Sequence, residues 1–287
     1  RHHLIKLDLF NYQETIDSVK IIKPDLIIHL AAESHVDRSI KNPKNFLNSN
    51  IIGTFNLLTA AKAHYETLNE RRKSSFIFHH VSTDEVFGTV SSNRKFSEET
   101  SYDPRSPYSA TKAASDHLVK SWFHTYQLPI LITNCSNNFG PWQHPEKLIP
   151  KIIISSLTNE TIPIYGDGMN IRDWLYVDDH INGLTLALNF GKPGETYCIG
   201  GNSEKTNLFI AEKICKLLDK FKPKTKSYLE LIRFVEDRAG HDKHYAINPK
   251  KIMQELGWKP KFSLEKGLNN TVLWYLNNID WCIKNNK

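Results

Sequence analysis

Glycine is scarce and late in this chain, with 13 residues in 287 and none before Gly53. No G-x-G-x-x-G or G-x-x-G-x-x-G run precedes the first expected strand, so the usual glycine-rich cradle for a phosphate is missing from the opening residues. Cysteine is equally sparse. Cys135, Cys198, Cys215 and Cys282 form no C-x-x-C pair, which argues against a disulfide framework or a zinc knuckle and reads as reduced structural thiols. Long apolar runs are absent too. The stretches 26–28 and 30–32 are far shorter than the ~20 residues a membrane helix needs. No charged-then-apolar leader precedes a small-residue cleavage site, so a soluble, cytoplasmic protein is expected. Charge of one sign is not concentrated. Lys and Arg number 37 against 31 Asp and Glu, a net +6 with basic residues interleaved among acids. That pattern disfavours a nucleic-acid partner and suits a small anionic ligand.

What is present is a 40% hydrophobic chain with an ordinary charged fraction of 24%, enough to bury one large core or two smaller ones. In the first half, short β-rich runs at 3–7, 26–30, 76–81 and 130–134 alternate with longer helical stretches at 12–22, 45–65 and 107–126. This alternation predicts an α/β fold with a parallel sheet covered on both faces. After Asn138 the chain is punctuated by Gly140, Pro141, Pro145, Pro150, Pro163, Gly166 and Gly168, and a second, smaller α+β region is expected. Its helices are expected at 207–218 and 249–256, with a terminal amphipathic stretch through Trp274 and Trp281.

The chemistry concentrates in two segments. In Tyr108-Ser109-Ala110-Thr111-Lys112 the phenol and the ammonium stand four residues apart, on one face of the expected helix. A nearby Lys⁺ favours phenolate, so Tyr108 can accept a hydroxyl proton while the same carbon releases hydride. Alone, the pair also suits an ordinary surface contact. The second segment, Val81-Ser82-Thr83-Asp84-Glu85-Val86-Phe87-Gly88, follows a buried strand, where α/β sheets place their ligand sites. Its adjacent carboxylates suit a solvated loop or a helix cap, or an acid and a base for eliminating water. His241 and His244 lack a third ligand and the H-E-x-x-H pattern, so no metal is expected. His29, His79 and His80 fall in expected strands and read as packed or edge residues.

The segments S-T-D-E-V-F-G, Y-S-A-T-K, L-A-A-E-S-H-V-D-R-S, N-C-S-N-N-F-G-P and N-I-R-D-W-L-Y-V-D-D-H occur in the order seen in dTDP-glucose 4,6-dehydratases. The chain resembles that family, within the extended short-chain dehydrogenases, from Asp8 to at least Asn269. The resemblance implies a Rossmann-like doubly wound sheet binding NAD, over residues 1–139 with a return segment near 174–200. Nucleotide-sugar binding is then implied for 140–173 and 201–287. The implied reaction is a redox-neutral dehydration of dTDP-glucose to its 4-keto-6-deoxy form. Hydride leaves the sugar C4, water is lost across C5 and C6, and hydride returns at C6.

By the same resemblance Tyr108 is the base for C4 oxidation, Lys112 tunes it, and Thr83 meets the C4 hydroxyl. Asp84 protonates the leaving C6 hydroxyl, and Glu85 removes the C5 proton. Implied cofactor contacts are Asp8 and Leu9 at a strand end, Leu30, Ala31, Ala32 and Ser34, Ser49 or Asn50, Asn138, and Tyr108 with Lys112. Asp8 also suits a helix cap. Implied sugar-nucleotide contacts are Ser34, Thr83, Asn137, Lys147, Leu148, Arg172, Asn207, Arg238 and His241. A guanidinium such as Arg172 holds a diphosphate bidentately, although a structural Arg172–Asp173 pair is the plainer reading.

Phe87 stands where the family has Tyr, and Ala239 where D-R-P-G-H-D has Pro. The larger departure is the missing glycine-rich opening. With Arg1 in place of a Met, the first two strands and helices, and the ribose-binding acid, are expected upstream. On that expectation the chain as given binds NAD poorly. The family's habit of pairing through two long helices implies a homodimer through 45–65 and 107–126. The alternatives are another nucleotide-sugar epimerase or decarboxylase, or a non-catalytic sugar-nucleotide-binding module.

Overall fold

The computed structural model describes residues 2–91 and 94–285. Two compact units divide the chain: Arg1–Gly88, Glu98–Asn134 and Leu184–Cys198 form the first, and Thr89–Ser97, Cys135–Gly183 and Ile199–Lys287 the second.

The first unit is built on a four-stranded sheet in the order Leu26–His29, Ile77–Thr83, Ile130–Cys135, Thr196–Ile199. The first two strands run parallel, with His29 opposite His80, so their C-terminal ends share one edge. The helix Tyr12–Ile22 leads into the first strand, and Gly53–Glu66 and Pro107–Tyr126 connect successive strands, giving a Rossmann-like α/β layer. Leu58, Phe76, Phe78, Val119, Leu128, Ile130 and Ile132 are buried together. At about 1.5–3 kcal/mol for each fully buried apolar side chain, this cluster makes the sheet a stiff base for the loops at its edge.

Two expectations fail here. Residues 3–7 form no strand and are mostly exposed, because no neighbouring strand offers its backbone a ladder. The single helix expected at 45–65 falls in three pieces in the structure: Pro43–Phe46, a π-helical turn Leu47–Ile52, and Gly53–Glu66. A π turn widens the helix by one residue and re-aims its side chains, and this one turns Asn50 inward to a buried position.

Pro107–Tyr126 forms where expected, for local reasons. Ser106 and Ser109 cap its start reciprocally, Pro107 sits in the first turn, and Gln127 ends it in the left-handed conformation, φ 57°. A proline is pre-set for the first turn, where its missing N–H costs nothing.

The second unit has a three-stranded sheet, in which Ile171–Tyr176 pairs parallel with Asn137–Phe139 and antiparallel with Glu204–Thr206. A parallel pair, Ile162–Tyr165 with Ile232–Val235, stands beside it in sequence order. The helices Leu148–Leu157, Asn207–Phe221 and Leu264–Asn277 enclose a core of Ile152, Ile153, Ile164, Ile210, Ile214 and Val272. Among the described residues, no helix is long and apolar enough to cross a membrane.

Candidate active site

The strand Ile77–Thr83 ends in a single 3-10 turn, Asp84–Phe87. Thr83 caps that turn: its Oγ1 accepts from the Glu85 backbone N–H at 3.3 Å and donates to Asp84 Oδ1 at 3.3 Å. Asp84 is buried, whereas Glu85 is half-buried. Gly88 closes the turn at φ 77°, where a Cβ would fall 2.5 Å from the Asp103 carbonyl oxygen. Only glycine fits both the conformation and the space.

The helix Pro107–Tyr126 packs on this strand and on its terminal turn. Tyr108 is 8% exposed and Lys112 is 4% exposed. The exposed surface pair that suits the bare spacing is therefore excluded. Tyr108 is walled by Val36 and by Phe46, whose ring meets it edge-on at 6.4 Å. It stands in the first turn of a 20-residue helix. Lys112 Nζ donates to the Val81 carbonyl at 2.9 Å and lies 3.4 Å from His80 Nε2. The ammonium is thus fixed beside the strand end that carries Thr83.

Behind Lys112 lies a buried polar cluster centred on Asp116. His80 Nε2 is 3.2 Å from Asp116 Oδ1. Ser82 Oγ, Tyr102 Oη and Asn134 Nδ2 reach Oδ2 at 2.9, 2.8 and 3.3 Å. Asn134 Nδ2 also donates to the Thr83 carbonyl at 3.1 Å. Burial, reinforced by Lys112, pushes the His80 imidazole down to about 4 against the pull of Asp116. Burial raises the Asp116 carboxyl, but the His80 hydrogen bond, with Lys112 and Tyr102, outweighs it and holds the group below its ordinary value. His80 is therefore neutral beside an ionised Asp116, with its Nε2 between that carboxylate and the Lys112 ammonium. His29 is likewise depressed, by burial and then by His80 and Lys112. It is 2.9 Å from Thr54 Oγ1, and His79 is 3.0 Å from Thr133 Oγ1. All three histidines are packed and partnered.

The loop after Leu26–His29 carries Leu30, Ala31, Ala32 and Ser34, of which Ala32 alone is half-buried and the others exposed. Asn50, next to Ser49, pins this loop: its Oδ1 accepts from Glu33 N–H at 2.8 Å and its Nδ2 donates to Glu33 O at 3.0 Å. The same Nδ2 lies 2.9 Å from Thr111 Oγ1, so the loop is tied to the helix of Tyr108. Ser49 is half-buried on the same turn. Asp8 and Leu9 do not end a strand. They form a turn held by Asn56, which donates to the Leu9 and Phe10 carbonyls at 2.8 and 3.1 Å. Asp8 accepts from Phe10 N–H at 3.0 Å, and the cap of the next helix is Asn11.

The second unit gathers the remaining expected residues. Arg172, 5% exposed, stacks over the Tyr245 ring at 4.2 Å and donates to the Ile171 and Asp242 carbonyls. Asp173 accepts instead from Ser203 N–H at 2.8 Å, and burial raises its carboxyl to about 6. His241 Nδ1 is 2.6 Å from Asp237 Oδ1. Burial first, then Arg238 and Arg172, hold the His241 ring below its ordinary value despite Asp237. Lys147 occupies the N-cap position of the helix that opens at Leu148, without a side-chain cap bond. Asn137, Asn138 and Asn207 each hold a buried side-chain oxygen with no hydrogen-bond partner among the described residues, as acceptors awaiting a ligand donor do. A cavity of about 620 Å³ lined by Lys95, Ile171, Glu204, Lys205, Phe209 and His244 contains none of the expected substrate residues. Among the described residues no cluster of three or more His, Cys, Asp or Glu is arranged to hold a metal ion.

Sequence reasoning misses Asp116, Asn134, Tyr102 and the pinning role of Asn50. For Asp116 a signal exists: it stands four residues beyond Lys112, on the stripe of Tyr108.

A phenol and an ammonium on one helical stripe, held against the end of a parallel strand in a Rossmann-like fold, are the arrangement of the extended short-chain dehydrogenases. The chain belongs to the family described as GDP-mannose 4,6 dehydratase, whose model matches residues 1–271. It is 50% identical over 287 aligned residues to dTDP-glucose 4,6-dehydratase of Shigella flexneri, covering 95% of this chain and 80% of that protein. Against dTDP-glucose 4,6-dehydratase 1 of Escherichia coli K12 it is 52% identical over 268 residues, covering 90% of this chain and 74% of the other. The dTDP-glucose 4,6-dehydratase of Streptomyces venezuelae, solved with NAD bound, superposes with a TM-score of 0.86 at 40% identity. That match covers 96% of this chain and 80% of the other.

Proposed function

We propose that this protein dehydrates dTDP-glucose to dTDP-4-keto-6-deoxyglucose with NAD as a returning cofactor. The observation that carries the reading is the joint placement of Tyr108 and Lys112, both buried, against the strand that ends in Thr83-Asp84-Glu85. An epimerase needs the first pair but has no use for a carboxylic acid and a carboxylate at the strand end.

The residues of the first unit suit the nicotinamide end of NAD: a buried phenol and ammonium, the small-residue loop at Leu30–Ser34, and Ser49 beside Asn50. When bound, NAD supplies a hydride acceptor and later returns the hydride to C6. Tyr108 takes the C4 hydroxyl proton as hydride leaves that carbon, and Thr83 orients the same hydroxyl. The C4 ketone acidifies C5–H, and Glu85 removes that proton. Asp84 gives a proton to the departing C6 hydroxyl, releasing water. A proton returns to C5 as hydride reaches C6, and the sugar has lost one water with no net redox change.

In the second unit, Arg172 and Arg238 suit the diphosphate by charge and His241 as a neutral hydrogen-bonding partner. Lys147, Leu148, Asn137 and Asn207 suit the rest of the nucleotide sugar, and Ser34 and Thr83 in the first unit suit its glucose. The first unit is the cofactor-binding domain and the second the nucleotide-sugar domain. Incubation with dTDP-glucose and NAD is expected to yield a 4-keto-6-deoxy sugar. Binding of both ligands without that product overturns the reading, and a 4-epimer in its place supports the epimerase alternative.

A homodimer is the assembly we propose, through the helices Gly53–Glu66 and Pro107–Tyr126. Phe55, Trp122 and Tyr126 form an aromatic cluster there, with Phe55 38% and Tyr126 46% exposed, which suits burial against a second copy. Sedimentation at micromolar concentration is expected to show twice the chain mass, and the monomer mass refutes it. Four free cysteines, three of them buried, accord with a reducing, cytoplasmic setting.

A further inference from the structure

We propose that Asp116 is a positioning residue of the hydride-transfer site, whose buried carboxylate balances the Lys112 ammonium, sets the pH range in which Tyr108 acts as a base, and holds the strand end bearing Thr83. This rests on the reading of Tyr108 and Lys112 as the hydride-transfer pair.

The geometry points to it from three sides. Tyr108, Lys112 and Asp116 recur every four residues on one helix, so they form one stripe. Asp116 is fully buried, and a buried carboxylate is expensive unless a charge and several donors answer it. Three donors, from three segments besides its own helix, hydrogen-bond it: Ser82, Tyr102 and Asn134. A single nitrogen, His80 Nε2, lies 3.2 Å from the carboxylate and 3.4 Å from the ammonium. Asp116 and Lys112 are thus one imidazole atom apart.

The titratable groups that face this cluster leave that charge pair in command of its potential. From the sheet come His80 and, with its ring 5.1 Å from His80, His29, both held neutral by burial and by Lys112. Tyr102, from the preceding loop, is raised by burial and then by Asp116, so it stays a donor, and Cys198 on the fourth strand acts on it weakly. Asp84 and Glu85 stand at the strand end, and Tyr108 on the same helix is the group being tuned.

A neutral amide of the same shape would offer one acceptor oxygen and turn an NH2 group toward the surrounding donors, so the carboxylate serves its hydrogen bonds as well as its charge. The charge also acts on the pair ahead of it on the helix. It keeps Lys112 protonated and, by offsetting that ammonium, keeps the phenol from ionising too early. The second role is mechanical: Asn134 Nδ2 bridges Asp116 Oδ2 and the Thr83 carbonyl, so the helix and the catalytic strand end share one anchor.

The test is Asp116→Asn, which keeps the shape and removes the charge. With the negative charge gone, the local potential rises, and both phenolate and neutral Lys112 form at lower pH. Both limbs of the turnover pH profile are expected to move down by about half a pH unit or more, a change of roughly threefold or more in phenolate fraction at a given pH. kcat should fall while KM for the sugar nucleotide stays within about twofold, because Asp116 touches no ligand. A profile lowered in height with unmoved limbs means a structural role and overturns the proposal.

A readout independent of turnover is the ultraviolet titration of the Tyr108 phenol, taken as the difference between the protein and its Tyr108→Phe variant, with and without Asp116→Asn. It must move down in the same direction, and an unmoved titration refutes the proposal even where no keto sugar is formed. A wild-type protein that makes no keto sugar counts against the dehydratase reading alone. Should Asp116→Asn not fold, Tyr102→Phe removes one donor from the carboxylate, concentrates its charge, and is expected to shift the same titration the opposite way, upward. No upward movement overturns the proposal.

Discussion

Tyr108→Phe is expected to lower C4 oxidation by roughly 10²–10⁴-fold, the range that general-base catalysis supplies, with little loss of cofactor or nucleotide-sugar binding. The phenyl ring fills the same space against Val36 and Phe46, so packing is kept and only the proton acceptor is removed. Without it, hydride departure from C4 leaves a protonated carbonyl, a high-energy species in a buried site. Lys112 cannot substitute, because its ammonium is a donor tied to the Val81 carbonyl. Single-turnover appearance of reduced cofactor on mixing with dTDP-glucose is the measurement. A rate within a few fold of the parent protein removes Tyr108 from its role.

The second large effect is expected from Glu85→Gln. The amide cannot take the C5 proton, so the reaction should stop after C4 oxidation, with reduced cofactor accumulating and solvent deuterium no longer entering C5. Overall turnover should fall by roughly 10²-fold or more. Asp84→Asn should behave differently: C5 exchange continues while loss of the C6 hydroxyl slows. Burial in general favours a neutral acid and exposure a carboxylate. Asp84 is buried and Glu85 half-buried on one short turn, and the family resemblance assigns them opposite tasks. Normal deuterium incorporation with Glu85→Gln refutes the assignment, and arrest of exchange by Asp84→Asn would exchange the two roles.

Much of this molecule is legible in local patterns. The helix at Pro107–Tyr126 is written in Ser106, Pro107 and the spacing of its apolar residues, and the structure places it at those bounds. The strand before Thr83 is equally plain, because a run of apolar and β-favouring residues ends at a turn that needs Gly88. The failures have one physical source. Residues 3–7 have strand-like composition, but a strand exists only where a neighbour completes its ladder. The stretch 45–65 has helical periodicity throughout, yet the Asn50 bonds to Glu33 and Thr111 go with a π turn that no periodicity signals.

By itself the sequence determined the order of strands and helices, the Tyr108–Lys112 stripe and the carboxylate pair at a strand end, because these depend on residues within a few positions of one another. Tertiary structure alone decided that Lys112 is buried beside Val81, that Asp116 gathers His80, Ser82, Tyr102 and Asn134, and that Asn134 holds Thr83. Those contacts join segments up to 51 residues apart. They depend on how the Tyr108 helix seats on the sheet and on strand register, and a register slip of one residue would turn His80 and Ser82 to the opposite face.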